Sequence, residues 1–157
     1  MPASGIEGKK PVDVSARGQD YLQRDVEDFV FLTLSFEDNT MAHMHVSWLD
    51  PHKVRKLTIV GSDKMAVFDD LEAAEKLKIY DKGAKLSQDY DTFAEYIGLR
   101  FGDITIPHVK VGEPLRTECL HFIDCVVNRK QPLSDGQDGL RVIQVLDAAQ
   151  RSLKNNG

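Results

Sequence analysis

The sequence predicts an α+β fold, in which an open-faced, mostly antiparallel β-sheet precedes two helices that pack on one face of it. Two observations support this prediction. In several segments between residues 11 and 111, apolar residues recur at every second position, which is the period of a strand with one buried face. From Pro114 onwards the apolar spacing becomes that of a helix. Strands first and helices afterwards argue against an alternating parallel sheet.

The clearest strands lie between Ala42 and Asp69, where turn residues separate three alternating runs. In the first run the apolar side chains share one face, namely Met44, Val46 and Trp48. The polar side chains share the other face, namely His43, His45 and Ser47. A sheet built from such strands buries one face and leaves the polar face open. Pro51 interrupts the pattern, because it cannot donate a hydrogen bond to a neighbouring strand.

Further strands are predicted on both sides of this region. Asp28 to Phe36 alternates strongly and Pro11 to Tyr21 weakly, and shorter strands are expected at Lys76 to Tyr80 and Asp103 to Val111. The turn from Glu37 to Asn39 has the residues of a hairpin connection. Residues 84–102 show no clean period, so we expect a loop or insertion there.

Two helices are expected in the last third. Apolar residues from Pro114 to Asn128 follow helical spacing, and proline is well suited to the first turn. The second helix covers roughly residues 137–154, with Ser134 and Gln137 resembling its capping box.

Length and charge limit the classes of protein to which the chain could belong. At 157 residues it is expected to form one domain over residues 11–157, after a flexible leader at residues 1–10. A net charge of −5 and a pI near 5.5 argue against nucleic-acid binding. There is no apolar run of about 20 residues and no signal-peptide pattern, so we expect no membrane partner and a cytoplasmic location.

The open sheet face is the first candidate functional surface. Large exposed faces of this kind are usually interfaces between subunits, so we expect a homo-oligomer, most simply a homodimer. The candidate interface residues share this face of the predicted strands, namely Thr33, Ser35, His43, His45, Ser47, Lys56 and Thr58. His43 and His45 also have the spacing of two metal ligands, but no third ligand is evident, so the interface is the preferred interpretation and no metal is expected.

The second candidate surface surrounds the break at Pro51. Trp48 with His52, Lys53 and Arg55 could hold a sugar on an aromatic plate and a diphosphate on cations. The competing interpretation places Trp48 in the core and leaves the cations solvated. Arg17 is a weaker candidate of the same kind.

Five segments, taken in order, resemble one family: SWLDPHKVRKLTIVG, MAVFDD, GDITIP, EPLRTECLHFIDCVV and SDGQDGLRVIQVLDAAQRSL. They are similar to the C-terminal domain of the glucose–fructose oxidoreductase/inositol dehydrogenase/MocA (Gfo/Idh/MocA) family, especially members resembling UDP-N-acetylglucosamine 3-dehydrogenases. The resemblance extends from Pro11 to Asn155. It implies that His108 approaches an active cleft, although a histidine exposed on a loop after a strand is the simpler interpretation.

The resemblance also implies a division of labour. In this family an N-terminal Rossmann domain binds NAD(P), and the C-terminal sheet domain completes the substrate site and mediates oligomerisation. The sequence here contains no G-x-G-x-x-G motif, no Glu-Lys-Pro motif and no family histidine–aspartate motif. It therefore implies a chain that binds no cofactor and has no catalytic residues of its own, with NAD(P) and a Rossmann domain belonging to a longer parent protein.

The function predicted from the sequence is thus the substrate-side and oligomerisation domain of an NAD(P)-dependent sugar oxidoreductase, whose substrate is a nucleotide sugar. One alternative is a stand-alone module that binds a sugar or nucleotide. A second is a small metal-dependent enzyme that uses His43 and His45.

Overall fold

The computed structural model describes residues 9–86, 97–110 and 112–155, and the side chains of residues 84–86 and 97–101 are not described. The chain forms two compact units. The first comprises residues 1–51 and 114–157, and the second comprises residues 52–113. Each unit contains its own antiparallel sheet, which agrees with the predicted α+β class.

The first unit holds a three-stranded sheet and two helices. Its elements are β1 (Asp13–Gln19), β2 (Phe29–Ser35), β3 (Met41–Ser47), α1 (Pro114–Asn128) and α2 (Gly136–Lys154). The strands follow one another as hairpins in the order β1-β2-β3. The β2–β3 turn contains Asn39 with φ of 61°, a left-handed conformation that asparagine tolerates better than most residues. This turn lies where the sequence predicts it.

The core of the first unit lies between the sheet and α2. Buried side chains from β1 and β2, from Phe36 and from the helix form it, namely Ala16, Leu32, Leu34, Phe36 and Ala149. Ser152 also fixes the helix to the edge of the sheet, because its Oγ accepts a hydrogen bond from the backbone N–H of Ala16 at 2.9 Å. Helix α2 therefore covers the β1–β2 part of one face, whereas on β3 the predicted buried residues Met44 and Val46 are 37% and 62% exposed, because the helix packs against β1.

Helix α1 is anchored through its less apolar side. His121 Nε2 accepts a hydrogen bond from the Leu133 backbone N–H at 3.1 Å, and Cys125, which is buried, lies 3.5 Å from the same nitrogen. The apolar side chains of the helix are more than half exposed, namely Leu115, Leu120, Phe122, Ile123, Val126 and Val127. Of the two predicted helices, α2 is thus the one whose side chains enter the sheet core.

The second unit is a four-stranded antiparallel sheet in the order β4-β5-β6-β7. Its strands are β4 (Lys56–Val60), β5 (Met65–Asp69), β6 (Leu77–Leu86) and β7 (Ile97–Thr105). Apolar side chains share one face of β4 to β6, namely Leu57, Ile59, Ala66, Phe68, Leu77 and Ile79. The sequence predicts one continuous sheet, whereas hydrogen bonding defines two. The interruption at Pro51 lies in the connection between β3 and β4.

Three local predictions require correction. The loop predicted over residues 84–102 is partly strand, because β6 continues to Leu86 and β7 begins at Ile97; residues 87–96 lie outside the described residues. The strand predicted from Asp103 to Val111 ends at Thr105, two residues before Pro107, which lacks an N–H for a ladder bond. The cap of α2 is Asp135 and not Ser134.

The predicted leader falls mostly on residues 1–8, outside the described residues. Within the part of the chain that the structure describes, no helix has the length and apolar character needed to cross a lipid bilayer.

Candidate functional site

The face of the first sheet opposite α2 forms the most distinctive surface of the first unit, and we call it the outer face. Strand register assigns its members, namely Asp13, Ser15, Arg17, Gln19, Phe29, Phe31, Thr33, Ser35, Met41, His43, His45 and Ser47. Five of the seven predicted interface residues lie here together, and all five are exposed or half-buried. The alternation in the sequence is therefore sufficient to identify this face.

Aromatic rings occupy the centre of the outer face. Phe31 and His43 are stacked, with ring centroids 5.7 Å apart and 21° between their planes. The centroid of Phe31 lies 4.9 Å from that of His45, and Phe29 contacts His45 edge-on at 5.0 Å. Ring pairs at these separations are favourable beyond the apolar area they bury. The two imidazoles are thus part of an aromatic cluster.

The contacts of His43 and His45 limit the chemical roles open to their imidazoles. Thr33 Oγ1 and His43 Nδ1 are hydrogen-bonded at 3.2 Å, which fixes one imidazole across the β2–β3 pair. Among the described residues, no group of three or more histidine, cysteine, aspartate or glutamate side chains could hold a metal ion. In the ranges that the structure describes, His43 and His45 therefore have no third metal ligand beside them.

Phe29 and Phe31 are functional candidates that the sequence interpretation missed. The apolar residues of β2 alternate with them, so they belong to the polar side of the pattern even though they are aromatic. Phe31 is 41% exposed, which is unusual for a phenylalanine in the central strand of a sheet. Reading both faces of β2, instead of its apolar face alone, would have identified them.

Lys56 and Thr58, the remaining interface candidates, lie in the second unit. They share one face of β4, and both are exposed. Lys56 pairs with Asp69 on β5 at 3.2 Å, where the two residues are in register. The lysine contributes to the lowering of the pKa of Asp69, whose largest cause is a hydrogen bond from the Leu71 backbone. Lys56 is therefore engaged within its own sheet.

Trp48 follows directly after β3 and is 86% exposed, so the interpretation that placed it in the core is wrong. Its backbone is nevertheless held in place. The Trp48 N–H donates to the carbonyl oxygen of Asp28 at 2.8 Å, and Leu49 N donates to Ser47 Oγ at 2.9 Å. Asp28 is itself buried and accepts a hydrogen bond from the Leu22 N–H at 2.6 Å. An exposed indole on a fixed backbone is suited to stacking on a flat ligand surface.

The three cations predicted beside Trp48 belong to the second unit. His52, Lys53 and Arg55 are all exposed in the segment before β4. Arg55 lies 3.7 Å from Asp70, whose pKa is held below its usual value mainly by a hydrogen bond from Lys76, with Arg55 a smaller cause. Arg55 is thus partly neutralised, and a phosphate would compete with a carboxylate for it.

Two other sequence candidates lie elsewhere. Arg17 is on the outer face, directly across the β1–β2 pair from Phe31, so the structure groups it with the aromatic cluster. His108 is exposed, three residues after the end of β7.

The comparisons with known proteins now bear on this architecture. Residues 5–67 match the family described as the GFO/IDH/MocA C-terminal domain. No curated protein is similar enough in sequence to match the chain.

Solved structures of sugar oxidoreductases share the fold. UDP-N-acetylglucosamine 3-dehydrogenase GnnA from Acidithiobacillus ferrooxidans is 21% identical with a TM-score of 0.71, over 94% of this chain and 42% of that one. Aldose-aldose oxidoreductase from Caulobacter crescentus is 16% identical with a TM-score of 0.68, over 96% and 41%. The WlbA dehydrogenase from Bordetella pertussis, solved with NADH and UDP-GlcNAcA, is 19% identical with a TM-score of 0.59, over 92% and 36%.

The chain thus spans about two fifths of the length of these structures. The family match covers the first sheet and the start of the second, and the fold extends the likeness to nearly the whole chain. Residues 5–67 are thus similar to the Gfo/Idh/MocA C-terminal domain, and nearly the whole chain shares the fold of these oxidoreductase structures.

Proposed function

We propose that this domain forms the substrate side and the self-association surface of a cytoplasmic NAD(P)-dependent oxidoreductase that acts on a nucleotide sugar. The observation that carries the proposal is the fold shared over 94% of this chain with a UDP-N-acetylglucosamine 3-dehydrogenase of which the chain spans 42%. The rest of such a protein would supply a Rossmann domain, NAD(P) and the hydride-transfer residues. The domain alone would bind without catalysing.

Trp48 is the proposed sugar contact. Its exposed indole can stack on the apolar face of a sugar ring, and the hydrogen bond to Asp28 keeps its backbone in place. As a separate proposal confined to the second unit, Lys53 and Arg55 bind a phosphate group. Arginine does so through a bidentate fork and lysine as a point charge.

Titration calorimetry tests the substrate proposal. We expect UDP-N-acetylglucosamine to bind the domain, and UMP and N-acetylglucosamine to bind more weakly, because each carries only part of the recognised chemistry. Trp48→Ala should weaken binding by roughly tenfold, which corresponds to about 1.4 kcal/mol of lost contact with the sugar. Because Trp48 is 86% exposed, the variant should fold like the parent. No heat at millimolar ligand would contradict the proposal.

The outer face is the proposed self-association surface, and a second copy of the same domain is its proposed occupant. Its charged side chains are Asp13 and Arg17, both on β1 and of opposite sign, at either side of Ser15. A two-fold axis that passes beside Ser15 and lies across the strands would place Asp13 of each copy against Arg17 of the other. The face is therefore self-complementary, as an isologous interface requires.

The size of the face predicts the strength of the contact. Three strands of seven residues give a footprint of about 23 Å by about 14 Å. A standard stable interface buries about 800 Å² on each partner, which is more than this footprint. We therefore expect a weak dimer, seen at tens of micromolar protein.

Sedimentation velocity over a range of concentrations tests self-association. The proposal predicts a sedimentation coefficient that rises with concentration. Arg17→Asp should weaken the dimer, because it places like charges across the two-fold axis, and the double variant Asp13→Arg/Arg17→Asp should recover it by restoring opposite charges. A monomer at every concentration up to about 100 μM would contradict the proposal.

A further inference from the structure

We infer that protonation of His43 and His45 dissociates the self-associated form, so that the outer face is a pH-controlled interface. This inference rests on the proposed self-association. It concerns the regulation of that surface. A dimer whose dissociation constant does not depend on pH would contradict this inference but not the proposed self-association.

The position of the imidazoles within the aromatic cluster supports the inference. His43 lies over Phe31 and is hydrogen-bonded to Thr33, and His45 contacts the rings of Phe31 and Phe29. A second copy placed on this surface would remove both imidazoles from water. Burial disfavours the charged form of a histidine, so the neutral form is the one compatible with the interface.

The other charged groups on the outer face are Arg17 and Asp13. Arg17 stands across the β1–β2 pair from Phe31, which is itself in register with His45, so an imidazolium at His45 would add positive charge to a face that already carries the guanidinium. Within one copy, the acid of this face, Asp13, is aligned with Ser35 and Met41 and not with His45. In the proposed dimer, Asp13 of the second copy would face Arg17, and His45 would face Met41, so His45 gains no carboxylate opposite it. The four β2 residues that face this side are not titratable, namely Phe29, Phe31, Thr33 and Ser35. Helix α2 packs on the opposite face.

Two-fold symmetry would increase the cost of protonating His43 in the dimer. An axis beside Ser15 also passes beside Thr33 and His43, because these three residues are in register across the sheet. Each His43 would then lie close to its own copy. Two imidazolium groups at that position would repel one another, which adds to the cost of burying them.

The ring contacts within one copy do not oppose this mechanism. Phe31 touches both histidines in the single chain, so an attraction between a cationic imidazole and the ring is already present before association. Desolvation strengthens this attraction, but by less than the cost of removing an imidazolium from water. The loss of water and the approach of a second copy are the changes that association brings, and both favour the neutral histidine. Histidine is the side chain whose charge ordinarily changes between about pH 5 and 8, which sets the pH range for a test.

Sedimentation velocity at about pH 8 and about pH 5.5 tests the inference. We expect the dimer dissociation constant to rise by at least about tenfold at the lower pH, which corresponds to about 1.4 kcal/mol of association free energy. In the variant His43→Gln/His45→Gln, the dissociation constant should change little between the two pH values. Circular dichroism at both pH values verifies that the sheet stays folded.

A matched control uses histidines outside the outer face. His52→Gln/His108→Gln removes two exposed imidazoles of the second unit, and this variant should keep the pH response of the parent. A parent dimer with equal dissociation constants at both pH values would overturn the inference, as would a response that disappears in this control. A parent that stays monomeric at about pH 8 would instead overturn the proposed self-association itself.

Discussion

Phe31 and His43 stack across neighbouring strands of the first sheet, with their ring centroids 5.7 Å apart and their planes within 21° of parallel. Their strands carry them on the face that α2 leaves uncovered. An exposed cluster of aromatic rings is more typical of a contact surface than of a face that meets only solvent. This contact is therefore our main structural reason for assigning self-association to the outer face.

Removing the Phe31 ring, at the centre of the aromatic cluster, should weaken dimer formation without unfolding the domain. We expect Phe31→Ala to raise the dimer dissociation constant by about tenfold or more, as buried aromatic anchors do in other interfaces. Phe36→Ala is the control, since Phe36 is 5% exposed in the core and its truncation should cost about 3–5 kcal/mol of folding free energy. Sedimentation velocity and urea denaturation measure the two effects. Equal assembly of Phe31→Ala and the parent would contradict the assignment.

Gly18 allows β1, β2 and α2 to approach closely. A Cβ at this position would stand 2.9 Å from the carbonyl oxygen of Phe29 and 3.1 Å from Leu153 Cδ2. Gly18→Ala should therefore destabilise the domain by about 1–3 kcal/mol in urea denaturation. Gly139→Ala is the matched control, because no atom would lie within 4 Å of its Cβ and the helix should gain about 0.5–1 kcal/mol. A neutral Gly18→Ala would show that the helix can move away without cost.

Asp135 is the N-cap of α2, in a reciprocal capping box with Asp138. Asp135 Oδ1 accepts from the Gln137 and Asp138 N–H groups at 2.8 and 3.0 Å, and Asp138 Oδ2 accepts from the Asp135 N–H at 3.0 Å. Asp135→Ala should cost about 1 kcal/mol of unfolding free energy. Ser134→Ala, one residue earlier, should cost much less. Equal losses in the two variants would contradict the assigned cap.

The ionisation of Asp38 makes the stability of the first unit depend on pH in the acid range. A hydrogen bond from Lys9, followed by those from Thr40, holds the pKa of the Asp38 carboxyl at about 2, below its ordinary value of 3.8. Because the pKa of Asp38 is lower in the folded state, the ionised carboxylate stabilises the fold at pH values above 3.8. This stabilisation disappears as the pH falls through about 2. Thermal unfolding of Asp38→Asn should therefore differ from the parent at neutral pH and converge with it in acid. A constant difference across this range would rule out the linkage.

Alternation and helical spacing predict much of the fold. The helix predicted from Pro114 to Asn128 has those bounds in the structure, and the three strands between Ala42 and Asp69 are present as β3, β4 and β5. These features depend on local patterns of burial, which the sequence carries directly.

The incorrect sequence predictions have physical reasons. The strand character of residues 84–86 and 97–102 comes from pairing between β6 and β7, a partnership that no local period reveals. Ser134 and Asp135 are both good caps, so the sequence could not choose between adjacent positions. Trp48 continues the apolar parity of β3, but the strand ends at Ser47 and the alternation no longer applies.

The candidate site was predicted in part. The histidine face followed from parity alone, whereas its aromatic centre required the register of β2 against β3. The cations at residues 52–55 follow Trp48 in sequence, yet they fold with the second sheet. Proximity in sequence therefore did not predict which unit each residue belongs to.

Trp48 also offers the most direct measurement of the central claim that this domain recognises a nucleotide sugar. It is the single tryptophan of the chain, so its indole N–H gives one signal of its own in a nitrogen–proton NMR spectrum. Titration with UDP-N-acetylglucosamine should move that signal saturably, while the backbone hydrogen bond from Trp48 to Asp28 keeps the chain at this point in place. An indole signal that stays unmoved at millimolar ligand, in a protein whose other signals show it to be folded, would contradict the claim.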